Sequence, residues 1–459
     1  MSATDATAST AHLQELAHRH LWMHFTPMGA YSAERRVPII VRGDGCYVWD
    51  AEGKRYLDGL SALYCVNIGH GRHDVAMAGA DQARDLAFFP AWSFAHEPAV
   101  RLAERIASLA PGDLNRIFFT GGGGEAVESA IKLARQYHKL TGSPSRTKII
   151  AREGAYHGTT LGALTATGLN SMRTPFEPFA AGGCHVPNTL LYRRPEDFDP
   201  ADLAEAVARK IAFEGPETVA AVIVEPVQNS GGSIPPPDGY FERLREICDD
   251  TGVLLISDEV ICSWGRLGTW FGAQRYDYQP DIITTAKGIT SAYAPMGAMI
   301  ASDRLFEPFA EAPNVFLHGF TFAGHPVASA VAMANIDVME REGLLEHVRA
   351  NEGAFADMLR SLSDIPVVGD VRGDGYFYSI EVVKDQATAE RFTADEIARD
   401  VRGALAADLY AGGLMCRVDL RTGDPVIALA PPLIAGPEQF DEMHAILRPA
   451  LSALADRVA

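Results

Sequence analysis

The chain has 459 residues, beyond the size at which a single hydrophobic core stops growing, so two domains are expected. Its composition, 47% hydrophobic and 22% charged, excludes a disordered or fibrous protein. A net charge of −19 argues against nucleic acid or an anionic membrane as the main partner, and no apolar run is long enough to span a bilayer.

Residues 1–10 are small and polar, show no basic-plus-apolar leader pattern and are expected to be disordered. The six cysteines (Cys46, Cys65, Cys184, Cys248, Cys262 and Cys416) are scattered without a Cys-x-x-Cys pair. Reduced, mostly buried thiols and a cytoplasmic location follow as expectations, with no zinc site and no disulfide framework. Leu13 to Phe25 reads as a helix; His18, His20 and His24 along it lack the carboxylate or cysteine neighbours of a metal site. Ile39–Arg42 and Cys46–Asp50 alternate like a hairpin around Gly43-Asp-Gly45, and Arg55–Asp58 extends that sheet.

From Asp74 onward helices and strands alternate. Strands are expected at Arg116–Phe119, Lys148–Ala151, Val219–Val224, Leu254–Ser257, Asp281–Thr285 and Gly297–Ala301, and helices at Ala99–Leu109, Glu125–Leu140, Ala201–Ala212 and Tyr240–Asp250. This rhythm implies an α/β fold with a mostly parallel sheet in a large domain. After a helix at Pro326–Arg341, strands at Tyr376–Val383 and Val426–Leu429 suggest a smaller α+β unit.

The parallel strands point chemistry to one edge, because open α/β sheets place ligands at their carboxyl ends. Leu254–Ser257 delivers Asp258, and Asp281–Thr285 runs into Lys287. A buried carboxylate needs a partner, and a protonated ring nitrogen would serve; a structural cap or salt bridge reads equally well. Lys287 at a strand end suits a Schiff base, against the alternative of a surface lysine. Thr120-Gly-Gly-Gly-Gly-Glu125 joins a strand to a helix, so its backbone fits a phosphate or a tight turn. Tyr156 could stack on a flat ring or fill the core, and Arg417 could grip a carboxylate or tie domains together.

Taken together, these features resemble the class III pyridoxal-phosphate aminotransferases of fold type I. The most specific stretch is Leu255-Ile-Ser-Asp-Glu-Val-Ile, then Gly265, Gly268, Phe271-Gly272, Asp281, Ala286-Lys287-Gly288 and Ala294-Pro-Met-Gly297; His318-Gly-Phe-Thr-Phe-Ala-Gly-His-Pro326 is also distinctive. Trp49-Asp, Tyr56-Leu-Asp-Gly59 and Val66-Asn-x-Gly-x-Gly-Arg72 look like the ω-amine:pyruvate branch. The resemblance implies pyridoxal 5'-phosphate on Lys287, with Asp258 at the ring nitrogen, Val260 behind the ring and Tyr156 in front. It places His157 and Glu225 beside the cofactor and Gly123 and Gly124 at its phosphate. Phe320 and Thr321 would reach the phosphate from a neighbouring subunit, which implies a homodimer or a tetramer built as a dimer of dimers. Tyr64, Trp92, Ser230 and Arg417 would contact substrate, Arg417 through the acceptor's carboxylate. The implied domains are 1–70 with 330–459 as a small unit built from both chain ends, and 71–329 as the large one.

Several positions depart from that pattern. Gly122-Gly-Gly124 stands where Ser-Gly-Ser is common, Ser263 and Ala292 replace glycines, and Tyr64 replaces a tryptophan frequent in amine-specific members. Ser230 stands where 4-aminobutyrate and ornithine aminotransferases carry a glutamate, which leaves Arg417 freer and favours pyruvate as acceptor. The expected function is transfer of an amino group from an ω-amino acid or (di)amine to a keto acid such as pyruvate, by ping-pong Schiff-base chemistry. An isomerase on the same scaffold, an aminomutase or racemase, is the alternative, and a non-catalytic cofactor-binding protein a further one.

Overall fold

The computed structural model describes residues 10–31, 37–179 and 182–458. The stretch expected to be disordered lies outside these residues except for Thr10, which opens a helix and donates its hydroxyl to the Ala51 carbonyl at 3.2 Å. That helix, Thr10–His20, ends earlier than the sequence pattern suggested. His18, Arg19 and His20 suit its negative carboxyl end, and Pro27 downstream has no N–H with which to continue it. Residues after His20 are thereby released to run toward the cleft described below.

The centre is a seven-stranded sheet in the order Leu114–Thr120, Gly297–Ser302, Ile282–Thr285, Leu254–Asp258, Val219–Val224, Lys148–Arg152, Gly183–Val186. Gly297–Ser302 alone runs antiparallel to its neighbours, so the sheet is mostly parallel as expected. Every residue of Val219–Val224, Leu254–Asp258 and Ile282–Thr285 is buried, which is why Val219–Val224 reads as an unbroken apolar run and the other two open on apolar residues. Their side chains alternate between two cores. Ala221, Ile223, Leu254, Ile256 and Ile282 pack against Val127, Ala130, Ile131 and Ala134 of the helix Gly123–Leu140. Val222, Val224, Leu255 and Ile283 face Leu244 and Ile247 of the helix Tyr240–Thr251 on the other side. Truncating a wholly buried side chain such as Ile256 to alanine costs about 2–5 kcal/mol in such a setting.

Two four-stranded sheets flank this one. The hairpin strands Ile40–Asp44 and Tyr47–Asp50 and the strand Arg55–Asp58 are joined by Leu414–Met415, which pairs in parallel with Leu57 and Asp58. The two ends of the chain therefore share a sheet. The other sheet is antiparallel, in the order Val368–Asp374, Phe377–Val382, Val426–Leu429, Arg417–Asp419. Arg417 does not belong to the strand begun at Leu414. The chain leaves the first sheet after Met415, and Arg417 opens a strand in the second.

Candidate active site

Five neighbouring segments converge at one edge of the central sheet, all at the carboxyl ends of strands running the same way. Gly123 and Gly124 follow Leu114–Thr120, Lys287 follows Ile282–Thr285, Asp258 ends its own strand, Glu225 follows Val219–Val224, and Tyr156 and His157 follow Lys148–Arg152. They line one cleft of about 720 Å³ together with Val260, Tyr64, Arg417 and Arg421.

Asp258 is 4% exposed, and its carboxylate is held at fixed points. The His157 ring nitrogen Nδ1 donates to one oxygen at 2.7 Å, while the hydroxyl of Thr284 and the amide of Val260 donate to the other at 3.2 Å. His157 is itself buried, and its second ring nitrogen has no partner among the described residues. An anion so fixed is the group required to keep a pyridine nitrogen protonated. Glu225 accepts amides from Tyr156 at 3.3 Å and Asn229 at 3.0 Å, and burial pushes its carboxyl above the ordinary carboxylate range.

Lys287 opens a short 3-10 turn, Lys287–Ile289, with a left-handed φ of 47° that only an enforced site tolerates in a non-glycine residue. The turn is pinned from behind. Trp264 donates its indole N–H to Thr285 at 2.7 Å, and a Cβ on Gly288 would come within 2.5 Å of Asn67. Burial lowers the amine's affinity for a proton, opposed by the negative potential of Cys65, Asp258 and Glu225. The amine is thus shifted toward its neutral, nucleophilic form. The Tyr64 ring centroid lies 6.0 Å from the Lys287 Nζ.

The glycine run forms the first turn of the helix Gly123–Leu140, whose leading amides have no helical acceptor. A Cβ at Gly123 would meet Val260 at 2.8 Å, so Val260 seals the space behind the cradle. A Cβ at Gly158 would meet Gly124 at 2.8 Å, so the facing loop also needs a glycine. No serine hydroxyl is offered at this turn, and backbone amides alone face an anion. A fixed carboxylate, a buried amine, an anion cradle and an aromatic ring in one cleft fit pyridoxal phosphate. Among the described residues no cluster of His, Cys, Asp or Glu could hold a metal.

Arg417 also lines the cleft, and no hydrogen bond or ion pair engages its guanidinium among the described residues. Arg421, which the sequence reading missed, also lines the cleft. It is tied to Asp419 at 2.9 Å and lies 5.6 Å from the centre of the Tyr156 ring. The available signal was Asp419-Leu-Arg421 directly after Arg417, but only the loop's folding brings it to the cleft. His24 and Phe25 reach the cleft as well, from the segment misread as helix. Ser230 is wholly buried and does not line the cleft, whereas its neighbour Asn229 does; the chain folds back there through a bridge between Gln228 and Ile234. Trp92, Phe320 and Thr321 do not line it either. Trp92 is 60% exposed, beside Gly319, and Thr321 is exposed on the same loop.

A model of the aminotransferase class-III family matches residues 30–451. A probable aminotransferase of Mycobacterium tuberculosis is 55% identical over 447 residues, 96% of this chain and 95% of that protein. The putrescine–pyruvate aminotransferase of Pseudomonas aeruginosa is 37% identical over 467 positions, which cover 100% of both chains. Among solved structures, a thermostable (S)-enantioselective ω-transaminase from Thermomicrobium roseum matches with a TM-score of 0.94 and 41% identity, over 98% of this chain and 100% of that one. The chain belongs to the class-III aminotransferases, pyridoxal-phosphate-dependent enzymes of fold type I.

Proposed function

We propose that this aminotransferase takes the amino group of an ω-amino acid or amine and passes it to pyruvate. The observation that carries this reading is the Arg417 guanidinium, unpaired among the described residues, in the same cleft as Lys287 and Asp258. The Pseudomonas relative named for pyruvate supports the acceptor. Neither of the two relatives described above, nor the solved structure, carries an isomerase's name.

Bound pyridoxal phosphate supplies an electron sink for the carbon that loses its proton. The chain's own residues do the rest. Lys287 would be the attachment point, and its neutral Nζ would carry the proton taken from the donor's amine-bearing carbon. Asp258, oriented by His157 and Thr284, would keep the ring nitrogen protonated. Val260 and Tyr156 would confine the ring, Glu225 orders the loop carrying Tyr156, and the amides of Gly123 and Gly124 would hold the phosphate. Arg417 binds the acceptor's carboxylate and swings aside for amines that lack one.

The same reading gives a large unit over 71–329 and a small one from 1–70 with 330–459. It also gives a homodimer at minimum, or a dimer of dimers, with Phe320 and Thr321 serving the neighbouring subunit. Exposed apolar groups near that loop support it: Phe88 and Phe322 lie 5.7 Å apart, beside the exposed Trp92, Phe94 and Leu317. Six unbridged cysteines support a cytoplasmic location. The test is Arg417→Ala. It should raise KM for pyruvate about tenfold or more, since a charged hydrogen-bond partner is lost, and change KM for 1-phenylethylamine much less. Equal effects on both substrates would remove Arg417 from the carboxylate role.

A further inference from the structure

Tyr64 stands on a turn that the fold holds under strain. Ser61, Ala62 and Tyr64 all take left-handed φ, at 48°, 58° and 60°, without a glycine among them. Such backbone survives only where its surroundings fix it. Here Asp58 accepts the amide of Ala62 at 2.8 Å, Ser61 donates to the Ala430 carbonyl at 2.7 Å, and Arg266 donates to the Ser61 hydroxyl at 3.0 Å. The Tyr64 ring is fixed in turn, edge-on to Phe377 at 5.5 Å.

The side chain so positioned lines the cleft, is 2% exposed, and has a hydroxyl without a hydrogen-bond partner among the described residues. A buried hydroxyl is costly to leave unpaired, so its place in a ligand cleft marks it as waiting for a ligand's polar atom. Burial raises the hydroxyl's pKa; the guanidiniums of Arg417, Arg421 and Arg266 act against that, and the carboxylate of Asp419, which Arg421 already occupies, acts with it. The other carboxylates lining the cleft, Asp258 and Glu225, are taken up at the cofactor end by His157, Thr284 and backbone amides. A distal ammonium therefore finds no free carboxylate among the described residues of the cleft, whereas a distal anion finds two unpartnered donors lining it, Arg417 and the Tyr64 hydroxyl.

We propose that Tyr64 is a specificity-determining residue: its hydroxyl donates to one oxygen of the donor's distal anionic group while Arg417 takes another. The preferred donors are then amines ending in a carboxylate or sulfonate, ahead of diamines and arylalkyl amines. This rests on the reading of Arg417 given above and deepens it by naming the donor class.

The test measures kcat and KM of the cofactor-loaded wild type and Tyr64→Phe, with pyruvate as acceptor and β-alanine, taurine, putrescine and 1-phenylethylamine as donors. Wild type should favour β-alanine and taurine. In Tyr64→Phe the ratio of kcat/KM for β-alanine to that for 1-phenylethylamine should fall about tenfold, through KM more than kcat, as expected for a lost hydrogen bond to a charged group. Because the deleted hydroxyl has no hydrogen-bond partner among the described residues, the variant's thermal midpoint should not drop. Affinity for propionate, a carboxylate that cannot react, should weaken in parallel by calorimetry. A wild type that prefers putrescine, or a ratio that does not move in an otherwise active pair, overturns this proposal alone. A wild type that passes no amino group from any of the four donors to pyruvate overturns both it and the function it rests on.

Discussion

At Lys287 three features act on one atom. The strand Ile282–Thr285 sets its position, a left-handed φ aims it, and burial favours its neutral form. Lys287→Ala should leave a folded protein, because the Lys287 amine makes no hydrogen bond or ion pair among the described residues. It should reduce amino transfer about a thousandfold or more, measured as alanine formed from pyruvate, since nucleophile and proton carrier are lost together. Retained turnover would contradict the assignment. Lys287 and Asp258 were legible from sequence because each lies at the end of a short strand that opens on apolar residues, and such strands are buried, parallel and share an edge. Arg421 was not legible. Its closeness to Tyr156 depends on a loop tied by its own ion pair to Asp419, and no periodicity encodes that.

Among the elements, the turn after Leu254–Asp258 depends on a residue that touches no ligand. Glu259 is wholly buried, accepts the amides of Gly272 and Ala273, and receives the hydroxyl of Ser257 at 3.1 Å. It thereby clamps the segment that carries Val260 to the start of the short helix Gly272–Arg275. Burial pushes its carboxyl up to about 7, and the amide donors that favour the anion do not outweigh it. The unfolded chain titrates near the ordinary glutamate value, so between pH 4.5 and 7 the folded state holds a proton that the unfolded state has lost. Folding stability attributable to this group accordingly falls as pH rises through that window and levels off above it. Glu259→Gln cannot titrate, so across the window the wild type should lose about 3 kcal/mol relative to the variant, read by urea unfolding at pH 4.5 and 8. A constant difference between the two would sink this explanation. Strands with continuous apolar runs were readable within a residue or two. Gly183–Val186 was not, because an edge strand of Gly-Cys-His-Val is short, half-buried and without alternation. The strand switch at Cys416 was hidden for a related reason: both halves are too short to show a period, and only their partners distinguish them.

Over the whole molecule, one topological rule accounts for the site. Six strands of the central sheet end at the same edge, five of them bringing site residues there, and the N-terminal and C-terminal parts of the chain add Tyr64 and Arg417 to the same cleft. Sequence spacing alone could place the cofactor groups, since they follow the sheet. It could not place the substrate end, which is assembled from segments hundreds of residues apart. The most direct measurement follows the visible absorbance of the cofactor-loaded enzyme in single half-reactions. β-Alanine is added without any acceptor, and pyruvate is added afterwards. The absorbance should bleach on the first addition and return on the second, because the amino group is stored on the enzyme between the two substrates. An absorbance that does not bleach with β-alanine, taurine, putrescine or 1-phenylethylamine, or that bleaches and is not restored by pyruvate, would contradict amino transfer to pyruvate in this cleft.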